Sequence, residues 1–216
     1  MARVIAEYVR NTGETLCQLG PRKTAAFAAC CADRLLPMYW RYCSECKWDT
    51  RSCMEDALDY VYDALLGRVT TDFLVPVLPS VLDFIPRGSD SESTFFTAAR
   101  SCALCLEEAL RHLLAQPEHP PSSSGYALEA LATLELDCPD GVTGFGLTPA
   151  DERLEAQIIG LPTVQMELVW QRRDIETLTV LDDVSEVIDA MRMTASNNGN
   201  VLAHSQGRHG RRHMSG

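Results

Sequence analysis

A chain of 216 residues is long enough to bury about 70% of its unfolded surface in one domain, and 46% hydrophobic against 23% charged residues excludes an intrinsically disordered chain. The formal charge of −11 understates the acidity of the body: residues 204–216 hold three arginines and no acid, so residues 1–203 carry 16 basic against 30 acidic side chains, a net of −14. Such a body repels phosphate backbones, which argues against nucleic acid as the partner of the folded part and favours a basic protein or simple solubility.

Residues 1–11 carry Glu7 in their middle and no apolar run of the length a signal peptide needs. The longest apolar stretch, residues 73–82, is interrupted by Pro76 and Pro79 and falls short of the ~20 residues that span a bilayer. A cytosolic protein without a membrane segment is expected. Residues 24–46 put Ala25, Ala26, Phe27, Ala28, Ala29, Cys30, Cys31 and Ala32 on every side of a helix, which predicts a buried one; Pro37 predicts a kink or break after Leu36. From Met54, apolar Leu58, Val61 and Leu65 recur every three or four positions while Asp56, Asp59 and Asp63 lie on another face, and Gly67 closes the helix.

Three prolines reduce residues 69–87 to short helical turns. The hydroxyl and acidic cluster at residues 89–94 opens a helix that runs to about Leu114, residues 116–125 form a proline- and serine-rich loop, and helical character resumes over 126–136. Gly141, Gly144 and Gly146 mark a second loop, followed by Thr148 as N-cap and Pro149 at the first helical position. The segment follows no predicted strand and has no lysine after its last glycine, so it does not read as a phosphate-binding loop. Leu161, Val164, Leu168, Ile175 and Leu178 share a face of one closing helix. Leu181, Val184, Ile188 and Met191 share a face of the next, with Asp182, Asp183, Glu186 and Asp189 turned outward. Asn197 to Asn200 is expected to end the helical register, leaving a disordered basic tail at 204–216 beyond a domain at 1–203. With no alternating β-branched run, the pattern predicts an all-α, single-domain antiparallel multi-helix bundle.

Three constellations bear on function. Cys43 with Cys46 and Cys102 with Cys105 have the pair spacing of a zinc site, but both pairs fall inside predicted helices, where i and i+3 also place two small side chains on a core face; no metal or cofactor is expected. Of five histidines, His204, His209 and His213 lie in the tail. His112 sits near a helix end, where the dipole favours a cation, and His119 lies in the proline-rich loop. Neither shows triad spacing with a nucleophile, so no enzyme is expected; an active site formed by His112, a cysteine and a carboxylate meeting in space is the alternative, and a thiol-based zinc or redox sensor is the other. The acidic ridges Asp56, Asp59, Asp63 and Asp182, Asp183, Glu186, Asp189 read as solvated faces fit to steer a basic protein partner onto the surface, as in immunity or antitoxin proteins.

Three segments also carry a family resemblance. Residues 24–43, with Phe27, Ala28, Ala29, Cys30 and then Ala32-Asp33-Arg34-Leu35-Leu36-Pro37-Met38-Tyr39, residues 161–178, with Val164, Gln165, Glu167, Leu168, Gln171 and Asp174, and the closing Ser196, Asn197 and Gly199 resemble the YjaG-like family of bacterial proteins, domain of unknown function 416. The resemblance spans roughly residues 5–200. It departs at Met38, at Asn198 and in the tail beyond Val201. It implies a compact all-helical bundle and supplies no reaction, cofactor or catalytic residue.

Overall fold

The computed structural model describes residues 4–87, 93–136 and 152–209. Among these residues the chain forms nine α-helices, two short 3-10 helices and no strand. The order is α1 (Val4–Leu19), α2 (Pro21–Cys46), α3 (Arg51–Leu65), a 3-10 helix at Thr71–Leu74, α4 (Val77–Asp83), α5 (Phe96–Leu113), α6 (Ser123–Leu136), α7 (Glu152–Ile159), α8 (Pro162–Val180), a 3-10 helix at Val184–Glu186, and α9 (Ile188–His209).

Helix α2 is the axis of the bundle. Every residue from Thr24 to Tyr39 is buried, as expected of a helix that is small or apolar all round. Its alanines, and Ala98, Ala99, Ala103 and Ala109 of α5, let these two helices pack closely along their length, and α9, α3, α6, α1 and α8 surround the rest of α2. On α3 the predicted stripe of Met54, Leu58, Val61 and Leu65 is buried in the core. Gly67 ends that helix with φ 72°, and the Arg68 N–H reaches back 2.8 Å to the Asp63 carbonyl.

Three expectations are corrected. Pro37 does not break α2, which continues for more than two turns to Cys46. A proline at this position cannot donate to the Asp33 carbonyl, and it is Gly199 of α9 that lies over the exposed backbone: a Cβ built there would sit 2.8 Å from the Arg34 carbonyl oxygen and 3.1 Å from that of Asp33. For the same reason Asn197 to Asn200 does not end α9. Gly199, Leu202 and Ala203 are buried, and Arg41 Nη2 donates to the Ala203 carbonyl at 2.9 Å, so contact with α2 carries the helix on to His209, into what reads as tail. Residues 210–216 lie outside the described residues, as do the Gly141–Gly146 loop and the start signal at Thr148 and Pro149. Finally, α6 begins at Ser123 rather than Tyr126 because Glu108 Oε2 accepts the Ser122 N–H at 2.8 Å, a cap supplied from another helix.

Two other α-helices are capped in the same way. Glu155 Oε1 accepts the Ile5 N–H at 2.7 Å at the start of α1, and Glu135 Oε1 accepts the Thr163 N–H at 3.0 Å at the start of α8. A carboxylate at a helix N-terminus satisfies an orphan donor and faces the positive end of the dipole. Here acids distant in the chain do both.

Candidate functional site

The two acidic ridges, separated in sequence by more than a hundred residues, meet on the surface. Arg192 of α9 pairs with Asp59 of α3, and Arg68, just past α3, lies 3.3 Å from Asp63 and 3.7 Å from Asp189. Arg22 of α2 donates to the Leu65 carbonyl at 2.6 Å and acts electrostatically on Asp183. The Asp183 carboxylate caps the short 3-10 helix by accepting the Ser185 N–H at 3.0 Å, and that bond holds its pKa below the usual carboxylate value. These exposed pairs each contribute at most about 1 kcal/mol. Their effect is to fix one face in which Asp59, Asp63, Asp183 and Asp189 are engaged internally, whereas the exposed carboxylates of Asp56, Asp182 and Glu186 form no ion pair among the described residues.

Behind this face lies a buried polar cluster. Arg34, 1% exposed, reaches Glu167 Oε2 at 2.9 Å through Nε and Asp174 Oδ2 at 2.7 Å through Nη1. Gln171 donates to Glu167 Oε1 at 2.9 Å and accepts from Ser124 Oγ at 2.7 Å, so α2, α6 and α8 are locked by one network. Burial pushes the Asp174 carboxyl up despite the adjacent guanidinium, and the two carboxylates hold Arg34 firmly protonated. At the residue before Arg34 on α2, Asp33 Oδ2 accepts from Tyr62 at 3.2 Å, and Arg192 lies 4.7 Å over the Tyr62 ring. Burial raises the Asp33 pKa to about 6. Periodicity reads Arg34, Glu167 and Asp174 as ordinary helix residues; only their appearance in the segments that resemble a family singles them out.

The four cysteines of the paired spacing face different partners. Cys43 Sγ lies 3.6 Å from Thr50 Oγ1, Cys102 Sγ donates to the Ala32 carbonyl and Cys105 Sγ to the Ser123 carbonyl, while Cys46 is exposed. Among the described residues no three His, Cys, Asp or Glu side chains gather as metal ligands. Burial pushes the Cys102 and Cys105 thiols well up, the opposite of what activates a nucleophile.

A cavity of about 60 Å³ opens between α5, the loop after it and the start of α6, lined by Glu107, Glu108, Arg111, His112, His119 and Tyr126 among others. No cysteine lines it. Glu108, which sequence reasoning missed, stands one turn before His112 on α5, and the adjacent acids Glu107 and Glu108 following the apolar run of residues 102–106 are the available signal. Glu108 Oε1 and His112 Nε2 are buried with no hydrogen-bond partner, and each such orphan costs about 1–3 kcal/mol. Burial raises the Glu108 pKa and lowers that of His112. His112 is therefore favoured as a neutral ring, contrary to the cation that its place near a helix end suggests.

The sequence profile of the DUF416 proteins, described as being of unknown function, matches residues 11–201. The chain belongs to the DUF416 family. A crystal structure of a DUF416 family protein from Shewanella baltica OS155, at 1.91 Å resolution, superposes with a TM-score of 0.69 at 17% identity, covering 85% of this chain and 92% of that one. At that identity the likeness is one of fold. No curated protein matches the chain. In this DUF416 chain the three segments that carry the resemblance meet at one place: Arg34 of α2 pairs with Glu167 and Asp174 of α8, and Gly199 of α9 packs on the Arg34 backbone. No helix among the described residues is long and apolar enough to cross a membrane.

Proposed function

We propose that this DUF416 chain is a non-enzymatic, cytosolic protein-interaction domain whose acidic face docks a basic protein, in the manner of an immunity protein or antitoxin that covers a basic toxin. The observation that supports it is the convergence of two distant acidic stretches on one face, with Arg68 and Arg192 bracing that face from within and Asp56, Asp182 and Glu186 left to meet opposite charge from outside. A net of −14 over residues 1–203 adds long-range steering of a basic partner.

Charge reversal tests the reading best at the three carboxylates with no internal duty, because reversing Asp59 or Asp183 would also disturb the α3–α9 contact or a cap. The triple variant D56K/D182K/E186K should keep the wild-type melting temperature. It should lose a basic partner, identified by cross-linking in the native host and then purified, by about tenfold or more in affinity, with a weakened salt dependence. A purified partner that binds wild type and triple variant equally, at every salt concentration, refutes the acidic face as the docking surface.

A further inference from the structure

The 3-10 helix at Thr71–Leu74, just past α3, holds apolar side chains out to solvent. Leu74 is buried and fixes the turn, while its neighbours Phe73 and Val75 are 51% and 54% exposed. Phe73 is the one exposed aromatic ring among the described residues. It is also braced: half-buried Tyr60 of α3 meets it in a T-shaped contact with ring centroids 5.1 Å apart, so a partner has little freedom left to remove. Apolar side chains exposed singly mean little, but a fixed aromatic ring with an aliphatic neighbour is a surface suited to anchoring a partner.

The charge around this ring selects the partner. Asp56 stands one turn before Tyr60 on α3, and Asp72 directly precedes Phe73. Both are exposed, and neither forms an ion pair among the described residues. A second copy seated here about a two-fold axis would bring the same acids against these, and an anionic lipid surface would add phosphates to them. An arginine suits both features, because its flat guanidinium stacks on an aromatic face and its charge meets carboxylates.

We propose that Phe73, braced by Tyr60, is the anchor of the docking surface and takes an arginine of the basic partner over its exposed ring, with an adjoining aliphatic side chain against Val75. This rests on the reading of the acidic face as a docking surface, and adds to it the point at which the partner is gripped.

A soluble peptide of alternating arginine and leucine, blocked at both ends, is the probe, and the same peptide with citrulline for arginine is its neutral control. Each is titrated into the full chain by calorimetry while the Phe73 ring resonances are followed by NMR; Phe73→Leu removes those signals and so assigns them. The arginine peptide should shift the ring signals saturably, and the citrulline peptide should not. Phe73→Leu keeps an apolar side chain on the turn but loses the ring face, and should weaken binding of the arginine peptide by about three- to thirtyfold at low and high salt alike. The triple variant D56K/D182K/E186K should weaken it most at low salt, where exposed charges are least screened. Loss in the triple variant with no change in Phe73→Leu sinks the anchor and leaves the acidic face standing. Loss in Phe73→Leu with none in the triple variant upholds the ring contact and refutes the acidic face. Ring signals that stay still at saturation, or a citrulline peptide that binds as well as the arginine one, overturn the proposal.

Discussion

Gly199→Ala tests how α2 and α9 are joined. The added methyl would lie 2.8 Å from the Arg34 carbonyl oxygen and 3.1 Å from both the Arg34 Cα and the Asp33 carbonyl oxygen. All three are backbone atoms of a helix buried on every side, so they cannot turn away as a side chain would; α9 has to withdraw by several tenths of an ångström. Overpacking of this kind costs about 1–3 kcal/mol, against which alanine gains about 1 kcal/mol over glycine in a helix interior. With rigid neighbours the steric cost should sit at the upper end, giving a net loss of about 1–2 kcal/mol, or roughly 2–8 °C in melting temperature for a domain of this size. Urea denaturation should show a lower midpoint at unchanged slope. Asn197→Ala, on the exposed side of the same helix, has only the propensity gain and should be neutral or slightly stabilising. If Gly199→Ala melts at or above the wild-type temperature, the close approach of the two helices does not hold the bundle as argued.

Arg34→Met should cost about 3–5 kcal/mol in urea denaturation, because it strands Glu167 and Asp174 in the interior; replacing both acids by leucine in the same variant should recover most of that loss, and a single substitution costing under about 1 kcal/mol would show the network to be incidental. Asp33 makes stability depend on pH in a definite direction. Its carboxyl holds a proton up to about pH 6 in the folded chain, against an ordinary value of 3.8, so the folded state binds more protons between those values and loses stability as pH rises through them, by at most about 3 kcal/mol. Asp33→Asn, whose amide oxygen can still accept from Tyr62, removes that term: the stability difference between variant and wild type should grow in favour of the variant from about pH 4 to 6 and then level off. A difference that stays constant across this range would show that the Asp33 carboxyl is not desolvated.

Local rules were sufficient for much of the architecture. Recurrence of Met54, Leu58, Val61 and Leu65 every three or four positions requires a helix with one buried stripe, and an unbroken run of small and apolar groups from Ala25 to Ala32 requires a helix buried on all sides, because each is a property of the chain's own period. Tertiary structure decided where that logic stops. Pro37 and Gly199 each read as the end of a helix; instead both helices run on, and the missing side chain at Gly199 lets α9 lie against the Asp33 and Arg34 backbone, one turn before Pro37. The acids divide in the same way. Glu135 and Glu155 cap helices, Glu167 and Asp174 neutralise a buried arginine, Glu108 caps one helix and lines a cavity, and Asp56 faces water. A carboxylate carries the same charge wherever it stands in the sequence, and what it does is set by the donor that folding brings opposite it.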